Sequence, residues 1–249
     1  MKNVYSKSWS RKRKQYGIKQ YDKDLIHELS RTVKNGKILD VGIGDGFPYS
    51  IELDEMGYEV YGIDISPTHV DMVKESLPNI NVKLGDAEYL EFEDNFFDAV
   101  FCFRSTWYFP NVIKVIREML RIVNKNGIVM FDIQNLKHPI HIASAKKMLK
   151  QSNKSILFLY PLQFIKNIVK LLLRPFKFIP TNWSFNKIPV FSTPTNPNDL
   201  IRYFQRKNDV KIEIYGVDWN NEIPLVPLKP NQNFSQFDRL VYKIVKTPL

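Results

Sequence analysis

Short apolar runs alternate with segments of helical periodicity along the first half of the chain. Five runs stand out, at Lys37–Val41, Glu59–Ile63, Asn81–Leu84, Asp98–Phe103 and Ile128–Ile133. Each is short and rich in apolar residues, as a strand buried on both faces must be. A leading helix is expected over residues 22–34. Between the strands, Ser66-Pro67 reads as an N-cap with proline at the first helical position. Asn111 opens VIKVIREMLRIV, whose apolar residues recur at helical spacing. Gly127, after Asn126, is expected to close that helix and start the fifth strand. Strands and helices in this order predict βαβ units and a parallel sheet.

After the fifth strand the alternation stops. Residues 136–190 are basic, aromatic and punctuated by proline; a helix near Asn198–Gln205 and strands near Val210–Tyr215 and Leu240–Val245 follow. Asn220–Gln236, rich in Pro and Asn, reads as a long loop between the last two strands. The expected organisation is an N-terminal arm and ligand-binding core over 1–135, an insertion over 136–190, and a C-terminal part over 191–249 that completes the core.

Composition narrows the picture. With 44% hydrophobic and 13% aromatic residues among 249, general disorder is excluded and one α/β domain with an insertion is accommodated. The single cysteine, Cys102, lies between Phe101 and Phe103 and reads as a small core residue, so no disulfide framework is available. Residues 1–14 hold no signal-like apolar stretch and no later run reaches about 18 uncharged apolar residues, so a cytoplasmic protein is expected.

The net charge of +10 has a location: between Asp132 and Asp199 there is no acidic residue, while ten Lys and Arg residues fall there. Such a local excess favours an anionic partner, whether lipid head group, phosphorylated carrier or nucleic acid.

Candidate chemistry sits at the ends of the first strands. ILDV runs directly into Gly42-Ile43-Gly44-Asp45-Gly46, a turn where glycine lets the backbone bend sharply and approach a ligand. A dinucleotide fingerprint would need glycine at position 47, which is Phe47, and no G-K-[ST] follows for a nucleoside triphosphate. NAD and ATP are therefore disfavoured. Twenty residues beyond Gly44, YGIDIS places Asp64 at the end of the second strand, where an acid can accept hydrogen bonds from ribose hydroxyls. The third strand ends in Gly85-Asp86-Ala87-Glu88.

These motifs, with Phe97–Val100 and EMLRIVNKNG at Glu118–Gly127, resemble the ordered motifs of class I S-adenosylmethionine-dependent methyltransferases of the type 11-like group. The likeness covers roughly residues 36–133. It implies a Rossmann-like, doubly wound, mostly parallel α/β sheet of seven strands with an antiparallel last strand, and a helical insertion after the fifth. It implies S-adenosylmethionine as cofactor, with Asp40, Gly42, Gly44 and Gly46 along its methionine part, Asp64 at the ribose, and Asp86 with the Ala87 backbone at the adenine edge. Ile65 and Arg104 are expected beside the same cofactor. Arg104 departs from the group, which often has a small or polar residue there, and Trp107-Tyr108 stands where two histidines are common. The Asn-Pro-Pro-Tyr motif of methyltransferases acting on base amino groups is absent.

Methyl transfer from a sulfonium is an in-line displacement, so positioning and exclusion of water matter most and a base is optional. Where the acceptor should enter, Tyr108 and His138 are the foremost candidates for proton removal, with Asp132 and His141 beside them. No spacing suggests a metal site. In Ile156–Arg174, the polar Gln163, Lys166, Asn167, Lys170 and Arg174 share one helix face and the other is apolar, which suits a lid over the acceptor or contact with an anionic membrane. The expected acceptor is a small molecule, sugar or lipid-linked metabolite. The alternatives are an RNA or protein methyltransferase using the basic surface, and a non-catalytic Rossmann-like ligand-binding module.

Overall fold

The computed structural model describes residues 15, 17–109, 111–143, 195–217, 224–230 and 232–247. The expected N-terminal arm and nearly all of the expected insertion, with the Ile156–Arg174 stretch read as a lid or membrane contact, lie outside the described residues.

The chain runs through α1 (Gln20–Thr32), β1 (Lys37–Val41), α2 (Tyr49–Glu55), β2 (Glu59–Asp64), α3 (Pro67–Ser76), β3 (Asn81–Leu84) and β4 (Phe97–Cys102). A 3₁₀ turn at Thr106–Tyr108, α4 (Val112–Ile122) and β5 (Val123–Gln134) follow, then α5 (Pro197–Gln205), β6 (Val210–Val217), β7 (Val226–Leu228) and β8 (Arg239–Lys246). The strands form one sheet in the order β3-β2-β1-β4-β5-β8-β6-β7. β1 to β5 pair in parallel, while β8 lies antiparallel between β5 and β6. The chain builds outward from β1 to β3 and then crosses back to β4. That reversal opens a crevice at the carboxyl ends of β1 and β4, where sheets of this kind take ligands.

The near-continuous apolar runs are explained by burial on both faces. Ile38, Ala99, Phe101, Ile128 and Met130 pack toward α1, α2 and α3, whereas Leu39, Val100, Cys102, Val129 and Phe131 pack toward α4 and α5. Charges inside these layers are paired. Lys243, on β8 and only 4% exposed, donates to Glu28 of α1 at 2.6 Å and lies 3.4 Å from Glu213 of β6. At the strand starts, Asp98 accepts from the Lys37 backbone N–H at 2.8 Å and from the Asn124 side chain at 2.7 Å, which locks β1, β4 and β5 together.

Two expectations are corrected. The sheet has eight strands rather than seven, because Val226–Leu228, within the expected loop Asn220–Gln236, pairs antiparallel with β6. The helix before β5 ends at Ile122 rather than at Gly127: Val123 is already extended and pairs with Phe97, and the turn falls at Asn126, which takes φ 66°. Asparagine tolerates that left-handed conformation better than most side chains. The Asn111 cap is present, its side chain accepting from the Lys114 N–H at 3.1 Å.

The junction between the parallel and antiparallel halves rests on Phe131 of β5 and Tyr242 of β8, both fully buried and stacked with ring centroids 5.3 Å apart. Phe131→Ala should lower unfolding stability by about 3–5 kcal/mol. In urea titration it should move the midpoint with the slope unchanged.

Candidate functional site

The first strand ends in a glycine loop that the neighbouring elements shape closely. Gly42 takes φ +82°, and a Cβ there would lie 2.9 Å from the Ser105 side chain, whose hydroxyl donates to the Gly42 carbonyl at 3.1 Å. Gly44 takes φ +60° and, among the described residues, no atom outside its chain neighbours lies within 4 Å of where a Cβ would stand. One glycine therefore lets β4's end close on the loop, and the other keeps room for a ligand.

The loop is poorly suited to phosphate. The Gly42 and Ile43 N–H groups both donate to the Ile63 carbonyl, Gly44 to Asp64 Oδ2 at 2.9 Å, Gly46 to the Ile43 carbonyl and Phe47 to Asp45 Oδ1. Those donors are spent within the protein, whereas a pyrophosphate cradle needs them pointing at the ligand. The same edge carries the carboxylates of Asp40, Asp45, Asp64 and Asp86. Asp40 and Asp45 are each 4% exposed, and Asp40 accepts from the Ser50 hydroxyl at 2.7 Å. Asp64 accepts from Gly44 and, through Oδ1, from the Ser66 N–H at 2.8 Å. Asp86 accepts from the Glu88 N–H at 3.0 Å within a turn closed by Tyr89 N–H to the Asp86 carbonyl. A row of acids with few offered donors repels a diphosphate and suits a cationic, phosphate-free ligand. S-adenosylmethionine, with its sulfonium and amino groups, fits that donor set. Ala87 is buried, while Ile65 is 43% and Leu84 47% exposed at the ends of β2 and β3.

Beside the cradle lies a buried polar network. Arg104, just past β4, takes φ 61° and donates its N–H to Asp132 Oδ1 at 2.7 Å. Its guanidinium reaches both oxygens of Asp22 on α1, at 2.7 and 2.9 Å. The Arg104 side chain is thus turned to Asp22. Tyr49 donates to Asp22 at 2.6 Å, Tyr21 donates to Asp132 Oδ2 at 2.8 Å, and Arg239 of β8 donates to the same oxygen at 3.1 Å. The Arg239 guanidinium also lies 4.6 Å over the buried Trp107 ring. Burial first, and then the neighbouring Asp132 carboxylate, hold the Tyr21 phenol well above its ordinary value and keep it a donor.

The acceptor-side candidates separate. Asp132 is fully buried and its carboxylate is taken up by Tyr21, Arg104 and Arg239. Tyr108 is 40% exposed on the 3₁₀ turn. His138 Nδ1 accepts from the Ile140 N–H at 3.3 Å within its own turn. His141 Nε2 lies 3.0 Å from the Asp238 carbonyl, which can only accept, so Nε2 carries the proton and Nδ1 the lone pair. Burial pushes the His141 imidazole below its ordinary value.

The sequence did not single out Tyr21, Asp22, Tyr49, Ser105, Asp238 or Arg239. Asp22 left a trace: it shares the buried stripe of α1 with Leu25, Ile26 and Leu29, where an unpaired carboxylate is costly.

Comparison with known proteins finds methyltransferases. Residues 39–131 match the model of a family described as a methyltransferase domain. The chain is 34% identical over 116 residues to the 2-methyl-6-phytyl-1,4-hydroquinone methyltransferase of Synechocystis, and 26% identical over 115 residues to the sterol 4-C-methyltransferase of Caenorhabditis elegans. Each match takes in 43% of this chain, and the chain spans only 36% and 34% of those relatives' lengths. Among solved structures, a SAM-dependent methyltransferase of Thermotoga maritima superposes with a TM-score of 0.53 at 14% identity, covering 96% of this chain and 97% of that one. A chain from the Haloferax volcanii complex containing the Trm112 methyltransferase activator gives 0.62 at 13% identity, covering 97% and 95%. These last two show the shared fold. Over residues 39–131 the chain is thus similar to a methyltransferase domain.

Removing one partner from a buried ion pair strands the other. Asp132→Ala should therefore cost about 3–5 kcal/mol of stability. Chemical denaturation checks this, and a loss no larger than that of a surface substitution would show that the network does not hold the site.

Proposed function

We propose that the chain transfers a methyl group from S-adenosylmethionine to a small, largely apolar or lipid-linked acceptor. The observation that carries this reading is the glycine loop whose N–H groups are spent internally along an acidic edge, with open space at Gly44. When bound, the cofactor supplies an electrophilic methyl group. The chain's own residues then bind and align. Asp40, Gly42, Gly44 and Gly46 hold the amino-acid end, Asp64 accepts from the ribose hydroxyls, and the Asp86–Ala87 turn meets the adenine edge. Ile65, exposed at the end of β2, gives the base an apolar wall. The rigid Arg104–Asp132 connection fixes the floor across which the acceptor approaches, and such positioning is the main catalytic need of a displacement.

An apolar acceptor is supported by Leu136 on the turn after β5 and by Ile140 and Ile142 on the helical segment that follows, which are 37%, 46% and 39% exposed, and by the names of the sterol and phytyl-hydroquinone relatives. Such a substrate partitions into lipid. The basic, apolar stretch Ile156–Arg174, read from sequence, would bring the enzyme to an anionic membrane surface. For a hydroxyl acceptor, His141 is the better base than His138: its Nε2–H is anchored on Asp238 and its Nδ1 lone pair is left available, whereas His138 Nδ1 is engaged by the backbone of its own turn.

Calorimetry with S-adenosylhomocysteine tests the reading directly. The wild type should bind at one site and ignore NAD, and Asp64→Ala should lose about 1.5–3 kcal/mol of binding free energy. A folded wild type that binds neither S-adenosylmethionine nor its demethylated product, or binds NAD more tightly, would end it.

The pH dependence of turnover tests His141. The base must be neutral, and burial lowers its pKa from 6.5, so activity should persist below that pH and fall only as the imidazole protonates further into acid. With methyl-labelled cofactor and a panel of quinols and sterols, His141→Gln should remove the acid limb; a limb unchanged in the variant would assign it to another group.

A further inference from the structure

The glycine loop docks on the end of β2 through its backbone. Gly42 and Ile43 donate their N–H groups to the Ile63 carbonyl at 2.8 and 3.0 Å, and Gly44 donates to Asp64 Oδ2 at 2.9 Å. Beneath this contact, the buried side chain of Ile43 lies against the backbone of Gly62 in the same strand. A Cβ on Gly62 would run into Ile43 Cδ1 and stand 3.1 Å from both its Cγ2 and its Cβ. The terminal methyl could swing aside. Cβ moves only with its own backbone, however, and a β-branched side chain has little freedom at χ1. An added methyl must therefore push the loop away from the strand. The strand itself does not ask for glycine here: Gly62 takes no positive φ and pairs in unbroken register with Asp40 of β1 and Val82 of β3. Glycine inside a regular strand weakens it relative to alanine, and its presence often marks the close approach of another backbone.

Building on the reading of this loop and Asp64 as the S-adenosylmethionine cradle, we infer that Gly62 is a positioning residue for the cofactor: its bare backbone sets how deeply the Gly42–Gly46 loop seats on β2. That seating fixes two things together. It keeps the Gly44 N–H on Asp64, so the loop that meets the amino-acid end and the acid that meets the ribose hold one spacing. It also keeps the Gly42 and Ile43 donors on the Ile63 carbonyl, turned from the ligand. Gly62 acts on the cofactor through Ile43, as a support that holds the binding groups in their geometry. A methyl group at position 62 would displace Ile43 by a few tenths of an ångström or more, and both spacings would change with it.

The test is a double-mutant cycle on the full chain, read by calorimetry with S-adenosylhomocysteine as the probe. Gly62→Ala adds the methyl, and Ile43→Ala removes two of the three atoms it would crowd, Cδ1 and Cγ2. In the wild-type background Gly62→Ala should weaken binding about tenfold, whereas in the Ile43→Ala background the same change should cost no more than about threefold. Equal losses in the two backgrounds would overturn the inference, because the effect would then not pass through Ile43. So would a Gly62→Ala protein that binds as the wild type does, whatever its melting temperature, since a packing role alone lowers stability and leaves affinity unchanged. Should Gly62→Ala alone fail to fold, the double variant decides: it should fold and bind within about threefold of Ile43→Ala. A double variant that stays unfolded or binds more weakly than that would refute the assignment. A wild type that binds no S-adenosylhomocysteine would instead remove the reading of the cradle on which the inference stands.

Discussion

The carboxylate of Asp132 is the constraint around which the site is built. It stands fully buried in β5, where an uncompensated charge would cost several kcal/mol, and the fold compensates it from three directions. Tyr21 reaches it from α1, the Arg104 N–H from the end of β4, and Arg239 from β8. Satisfying this one group fixes the leading helix, the switch-point strands and the antiparallel return strand relative to one another. Asp22 and Tyr49 extend the same network to α2, so the helix that follows the glycine loop is tied to the turn after β4.

The left-handed backbone of Arg104 follows from that constraint. A non-glycine residue pays for φ 61° with strain, and strained residues persist where surrounding bonds over-determine them. Here the N–H is taken by Asp132 and the guanidinium by Asp22, and the next residue, Ser105, bonds back to the carbonyl of Gly42. The turn after β4 is therefore held against the glycine loop on one side and the buried acids on the other. The glycine loop and the buried acids are thereby joined through the turn after β4.

The cofactor edge works through charge. Its glycine loop looks, in outline, like those that hold diphosphates, yet its donors are turned inward and its side chains are acids. What distinguishes the two classes of ligand is thus where the backbone N–H groups go, with Ile63 and Asp64 as their recipients. The C-terminal strands do more than widen the sheet. β8 supplies Arg239 to the buried acid, and the residue before it, Asp238, orients His141.

The sequence by itself determined the parallel half of the sheet, because burial on both faces demands continuous apolar runs, and such runs are visible at β1 to β5 without any knowledge of partners. It also determined the glycine turn, Asp64 and the Asp86 turn, since each lies at a strand end at fixed spacing from the next. The end of α4 and the strand β7 were not legible: both depend on pairing, Val123 with Phe97 and Val226–Leu228 with β6, and pairing partners far apart in the chain leave little local pattern. The buried network was hidden for the same reason. Asp22 and Arg104 are separated by 82 residues, and Asp132 and Arg239 by 107. Only the tertiary structure decided that these charges meet, because a charge inside an apolar stretch announces that a partner must exist, while only the packing of the sheet brings that partner within reach.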